Sequence, residues 1–168
     1  MKIAVASGKG GTGKTTVATS LALSLAADQE PGNPGSSPPL FLDCDVEAPN
    51  AHLFLQPVFQ EQREVGLLIP KVDEGICTHC GRCAEVCQYH AIVVLGVKTL
   101  VFPQLCHGCG SCTLECPEKA ISETLSVMGV LERGETKDGL PFARGVMNVG
   151  EPMAVPIIRQ LKKWVNPQ

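Results

Sequence analysis

The chain has 168 residues, enough to bury a core in one ordinary domain or one and a half. Its formal charge of −3 and the lack of any basic run exclude nucleic acid as an expected partner, and its apolar stretches are too short to span a bilayer. Met1-Lys2 leads into an apolar run rather than a signal sequence, so the expected setting is the reducing cytoplasm.

Lys2 to Ala6 predicts a short buried strand, and Thr15 to Ala27 is apolar at helical spacing. Between them, Gly8-Lys9-Gly10-Gly11-Thr12-Gly13-Lys14-Thr15 satisfies G-x-x-x-x-G-K-[ST], with Thr16 following. Glycines let the backbone curl so that successive N–H groups face phosphate oxygens, and the helix that follows adds its positive end. Lys14 supplies a charge for the β- and γ-phosphates of ATP, and the Thr15 hydroxyl can ligate Mg²⁺. A mere tight turn would leave both residues unexplained. Gly8-x-Gly10-x-x-Gly13 also fits a dinucleotide fingerprint, but the next acid, Asp43, falls too late and Lys14-Thr15 has no role there.

Asp28 to Pro39 is rich in proline, glycine and serine and reads as a surface loop. Leu40-Phe41-Leu42 then predicts a second buried strand, delivering Asp43-Cys44-Asp45 at its carboxyl end, where ligands sit in open α/β sheets. Two acids beside a phosphate loop suggest Mg²⁺ coordination and placement of an attacking water, with Asp45 preferred over Asp43. The competing reading is that one of them caps the turn at Pro49-Asn50. Cys44 reads as a small buried filler.

Eight of the nine cysteines fall into two runs, Cys77-x2-Cys80-x2-Cys83-x3-Cys87 and Cys106-x2-Cys109-x2-Cys112-x3-Cys116-Pro117. This is the spacing of bacterial two-cluster ferredoxins, in which the fourth cysteine of each run serves the other cluster. By that rule Cys77, Cys80, Cys83 and Cys116 hold one [4Fe–4S] cluster, and Cys106, Cys109, Cys112 and Cys87 hold the second. The runs are also an internal repeat: residues 76–92 lie over 105–121 at a constant offset of 29, which predicts a pseudo-twofold βαβ-βαβ module. Gln88 stands where the pattern usually has proline, while Pro117 keeps it. Zinc knuckles use longer spacers, and a disulfide framework needs an oxidising compartment. Each oxidised cluster adds about −2, so the loaded chain would carry roughly −7.

Beyond the cysteines, Val127–Glu132 and Phe142–Val149 predict strands joined by a turn at Lys137-Asp138-Gly139. From about Pro156, residues Ile157, Ile158, Leu161, Trp164 and Val165 fall at helical spacing and predict a core-facing helix. His79 and His107 lie within the cysteine loops at positions expected to face solvent.

Lys9 at the second position of the glycine loop resembles the deviant Walker A of the MinD/Mrp superfamily, which includes the nitrogenase iron protein. Asp43-Cys44-Asp45-Val46-Glu47-Ala48-Pro49-Asn50 is similar to that superfamily's switch I. A two-cluster ferredoxin placed soon afterwards resembles the branch sometimes labelled cobyrinic acid a,c-diamide synthase-like. The resemblance implies an α/β fold: part of a P-loop NTPase parallel sheet (residues 1–70), an inserted α+β bacterial-type diferredoxin (71–125) and a returning hairpin and helix (126–168). It implies that Lys9 reaches the ATP of a homodimeric or paralogous partner, that Lys14 and Thr15 bind phosphate and Mg²⁺ in cis, and that Asp45 positions the hydrolytic water. A redox donor or acceptor protein is the further implied partner.

Members of that superfamily continue through a D-x-P-P-G-like Walker B segment, which is not found here. The expectation is therefore a truncated product or a partner chain that supplies the missing half. Three functions follow: an ATP-binding protein coupling nucleotide state to electron transfer, with a role in metallocofactor assembly; a diferredoxin carrier on a vestigial nucleotide domain; or an Mrp-type cluster carrier.

Overall fold

A computed structural model describes residues 1–28 and 38–165. In chain order the elements are α1 (Lys14–Ala27), β1 (Phe41–Asp43), α2 (Ala51–Leu55), β2 (Val58–Val72), α3 (Arg82–Glu85), β3 (Ile92–Leu95), β4 (Lys98–Val101), α4 (Ser111–Leu114), β5 (Ile121–Glu135), β6 (Pro141–Met147) and α5 (Val155–Val165). Most of the loop expected over residues 28–39 lies outside the described residues. The chain divides into two compact units. The first comprises Met1–Glu64, Gly129–Asn148 and Ile157–Gln168, and the second Val65–Met128 and Val149–Pro156.

The fold is mixed α/β, with a four-stranded sheet in the order β1-β6-β5-β2. β1 runs parallel to β6, with Phe41 opposite Phe142 and Asp43 opposite Arg144. β6 runs antiparallel to β5, with Leu131 opposite Gly145 and Glu132 opposite Arg144. At Gly134 the neighbouring strand comes so close that a Cβ would sit 1.9 Å from the Val58 carbonyl oxygen. Glycine is the only residue that fits there without a backbone shift.

Alternation along β6 sends its side chains to two faces. Phe142 packs with Ala22 of α1, Ala51 and Leu55 of α2, and Leu140, with Phe41 stacked on it at 5.6 Å. Gly145 faces the other way, against Ile157 of α5, Val46 and Leu131. Ile157 and Leu161 are fully buried, as the spacing from Pro156 onward predicts. Trp164 of the same helix lies between Arg63 and Arg133, each guanidinium 4.8 Å from its ring centre. Such contacts tie a helix to a sheet edge through charge as well as area.

Two expectations are corrected here. The sheet is not the parallel one expected of a P-loop NTPase: β1–β6 is parallel, whereas β6–β5 is antiparallel. The physical reason is the short turn around Lys137-Asp138-Gly139, because a parallel pair needs a crossover of a dozen residues or more. Residues Lys2–Ala6 form no strand either; Ile3 and Val5 are exposed. No described strand pairs with this stretch, so its backbone groups are left to water rather than to a ladder. The predicted hairpin does form, with a first strand longer than expected. The 15-residue β2 was not anticipated from the sequence.

The second unit carries the 29-residue repeat into its backbone. His79 and Gly108, Gly81 and Gly110, and His90 and Lys119 are three offset pairs with matching positive φ. α3 and α4 start one offset apart, as do β3 and the beginning of β5. Phe102 donates its N–H to the Ala91 carbonyl and Asp73 donates to Ala120, both at 2.8 Å, which is the same bond seen from each half. β3 and β4 pair antiparallel, Ile92 opposite Val101. Ile92, Ile121 and Cys83 form the centre of this unit's core.

Leu131 is fully buried against Gly145, so Leu131→Ala leaves a cavity in the first unit. A loss of about 2–5 kcal/mol is expected in denaturant unfolding followed by far-UV circular dichroism.

Candidate metal centres and glycine loop

In each half of the second unit, a loop delivers two cysteines and then turns through a glycine with positive φ into a one-turn helix that carries the third. The fourth cysteine of each run follows that helix. Its sulfur accepts an N–H four residues on: Ala91 to Cys87 and Ala120 to Cys116, both at 3.3 Å. The repeat thus preserves the polar environment of the ligand as well as its position.

The eight cysteines partition between two cavities. One, of about 400 Å³ including its open mouth, is lined by Cys87, Cys106, Cys109 and Cys112. The second, of about 310 Å³, is lined by Cys77, Cys80, Cys83 and Cys116. Each cavity therefore has three thiols from one run and one from the other. Among the described residues, no three His, Cys, Asp or Glu side chains are grouped to hold a single metal ion. The thiols ring a space instead, and an all-sulfur donor set around such a space fits a polynuclear iron–sulfur core.

Burial pushes the Cys83, Cys106 and Cys112 thiols up, while the Ser111 side chain beside Cys109 holds that thiol down. Iron ligation takes thiolates, so loading these sites releases protons. Around the second cavity, the Thr99 hydroxyl lies 3.5 Å from the Cys77 sulfur. His79 pairs with Glu74 at 2.8 Å and is not aimed at a thiol, and this contact holds the exposed Glu74 carboxyl below its usual range. Arg82 bridges Glu85 and Glu115. At the first cavity, Tyr89 stacks on His107 with ring centres 3.7 Å apart. Tyr89, Glu123 and Thr99 went unnoticed in the sequence. Positions that differ at the 29-residue offset point to the first two, since Tyr89 lies over Glu118 and Glu123 over Val94, whereas Thr99 lies outside the repeat.

In the first unit, the glycine loop passes from Ser7 to α1. Gly11 and Gly13 have φ of +70° and +82°, with open space where a Cβ would stand. The Ser7 hydroxyl donates to the Lys9 carbonyl at 2.8 Å and lies 2.7 Å from the Thr12 hydroxyl, so side chains brace the curl. Gly8, Lys9, Gly10 and Thr16 are exposed, while Lys14 and Thr15 at the start of α1 are half-buried. Thr15 donates its hydroxyl to the Asn50 side chain at 2.7 Å, joining the loop to the segment after β1.

Asp43 and Asp45 take different roles. Asp43 is buried and accepts the Asp45 and Ala51 N–H groups at 3.1 and 3.2 Å. It is the acid that organises the turn into α2. Burial pushes its carboxyl up, against the pull of those two bonds. Asp45 is exposed, with its side chain toward solvent. Cys44 is half-buried and lines neither cavity.

Residues 76–121 match the 4Fe-4S dicluster domain, and this part of the chain is a ferredoxin-like iron–sulfur module. The whole chain is similar to two proteins of Methanocaldococcus jannaschii. One, uncharacterized protein MJ0578, is 35 % identical over 170 residues, covering 96 % of this chain and 54 % of the relative. The other, uncharacterized protein MJ0579, is 28 % identical over 171 residues, covering 98 % of this chain and 56 % of the relative. The chain thus spans about half the length of the curated relatives it matches. No helix among the described residues is long and apolar enough to cross a membrane.

Two outcomes follow. Cys109→Ser should lose one cluster's complement of iron and sulfide, whereas Cys44→Ser should lose none, as read by iron and sulfide analysis of anaerobically purified protein. Because the folded chain holds the Asp43 proton more tightly than the unfolded one, the stability due to that group is complete below the ordinary aspartate range. It declines as pH rises through the raised folded value and then levels off. Unfolding free energies of the native chain measured against Asp43→Asn across acid pH should trace that decline.

Proposed function

We propose that this protein is an electron carrier with two [4Fe–4S] clusters, one on Cys77, Cys80, Cys83 and Cys116, the other on Cys87, Cys106, Cys109 and Cys112. The observation that supports it is the division of eight thiols between two cavities, each taking its fourth thiol from the opposite run. When bound, such clusters supply one-electron redox couples at low potential. The chain's own residues hold them, donate N–H bonds to sulfur from Ala91 and Ala120, and shield them behind Ile92, Ile121 and the Tyr89–His107 stack. The partner implied is a redox donor or acceptor protein in a reducing compartment.

A nucleotide-dependent form of this carrier is the finer reading. It is favoured by the bond from Thr15 to Asn50, which couples the phosphate loop to the segment after β1, and by the two positive-φ glycines before Lys14. On this reading the protein is a MinD/Mrp-type ATPase. Gly8, Gly10, Gly11, Thr12, Gly13 and Thr16 surround the phosphates of ATP, Lys14 and Thr15 hold phosphate and Mg²⁺, Lys9 reaches a homodimeric or paralogous partner's nucleotide, and Asp45 orients water. ATP state then sets electron delivery from the clusters.

The test is Mg-ATP binding to anaerobically purified, cluster-loaded protein. Micromolar binding that falls at least about tenfold in Lys14→Ala supports the nucleotide reading. Two reversible low-potential signals with no nucleotide binding in either protein would leave the plain electron carrier. Loss of the clusters to an apo-acceptor would instead mark a cluster carrier.

A further inference from the structure

The repeat places equivalent residues on the walls of the two cavities, so the cavities can be compared position by position. Their hydrogen bonding to sulfur is nearly matched. Each has one N–H four residues beyond its fourth cysteine, at 3.3 Å. Each has a hydroxyl near a cysteine sulfur, Thr99 at 3.5 Å from Cys77 and Ser111 at 3.4 Å from Cys109, and the Thr113 side chain bonds Cys112 as well. Two contacts are unmatched, that of Thr113 and a long one from the Gly108 N–H to Cys106 at 3.5 Å.

Charge is not matched. The cavity of Cys77, Cys80, Cys83 and Cys116 is lined by one cation, Arg82, one carboxylate, Glu118, and His79, with Val94 on its wall. At the position equivalent to Val94, the other cavity carries Glu123, its only carboxylate, with no lysine or arginine. The partner of Glu123 is a neutral group: the Thr113 hydroxyl donates to it at 3.3 Å. Leu68, Pro70 and the Tyr89–His107 stack stand on the same wall, at the surface, with Leu68 51 % and Tyr89 43 % exposed.

We propose that Glu123 makes the cluster held by Cys87, Cys106, Cys109 and Cys112 the lower-potential member of the pair. This inference rests on the two-cluster reading above. One-electron reduction adds a negative charge to a cluster, and a fixed carboxylate on the cavity wall opposes it. On the wall of the other cavity the one carboxylate, Glu118, stands with the guanidinium of Arg82, which also bridges Glu85 and Glu115.

The experiment is an anaerobic potentiometric titration with dithionite, followed by electron paramagnetic resonance, on the native chain, Glu123→Gln and Glu123→Lys. For an exposed unit charge several ångströms away, Glu123→Gln should raise the reduction constant of the lower-potential cluster about threefold, and Glu123→Lys about tenfold. The latter corresponds to about 59 mV for one electron. The higher-potential wave should stay in place in Glu123→Gln, and Val94→Glu should move that wave downward instead. A lower wave that stays put in both Glu123 variants, or a shift confined to the higher wave, overturns the proposal. Absence of two four-iron signals in the native chain would overturn the two-cluster reading itself, so the two failures are distinguishable.

Discussion

Each cysteine run brings only three of its thiols to one cavity, and the second unit is organised around that constraint. Each cavity takes its fourth thiol from the other half, so neither half lines a full set alone. The backbone accommodates this through repetition: three pairs of positive-φ residues, two one-turn helices and two equivalent N–H bonds to sulfur recur at the same offset. The small apolar core around Ile92 and Ile121 packs against cysteines of both sets, Cys83 and Cys116 of one and Cys87 and Cys112 of the other.

Duplication also left room for divergence. The residues that bind and cap the ligand loops stayed alike, because the sulfur geometry tolerates little change. Wall positions did not: Val94 and Glu123, Arg82 and Ser111, and Thr78 and His107 differ in charge or size. A pair of near-identical sites with different walls is how one scaffold can hold two redox centres of different potential.

The first unit shows a different division of labour between two acids on one short strand end. Asp43, opposite Arg144 in the ladder, is taken into the interior to fix the turn that leads to α2. Asp45, two residues on, is left facing solvent. α1 is apolar around much of its circumference, with Val17, Leu21 and Leu23 exposed while Ala22 joins the core. Its start is set by the glycine loop rather than by a side-chain cap, and Gly13 enters it in the left-handed conformation.

The cysteine runs were legible because metal ligation depends on residue type at short spacing, and the offset of 29 identifies the repeat without any contact being known. α1 and α5 were legible from apolar spacing, and the β5–β6 hairpin from its turn residues. Which other strands become neighbours was not legible, since no short-range pattern places β1 beside β6 or β2 beside β5. Nor was the fate of Lys2–Ala6, an apolar run that becomes a strand only where a ladder partner lies beside it. β2 was hidden because its first half is rich in charged and polar side chains, which sit on a sheet only when the neighbouring strand supplies partners such as Arg133 for Glu61. By itself the sequence determined the chemistry this protein can hold: eight thiols in interlocking runs and a glycine loop ending in lysine and threonine. The tertiary structure alone decided which acid is buried, which residues wall each cavity and how the sheet is ordered, because those depend on contacts between residues far apart in the chain.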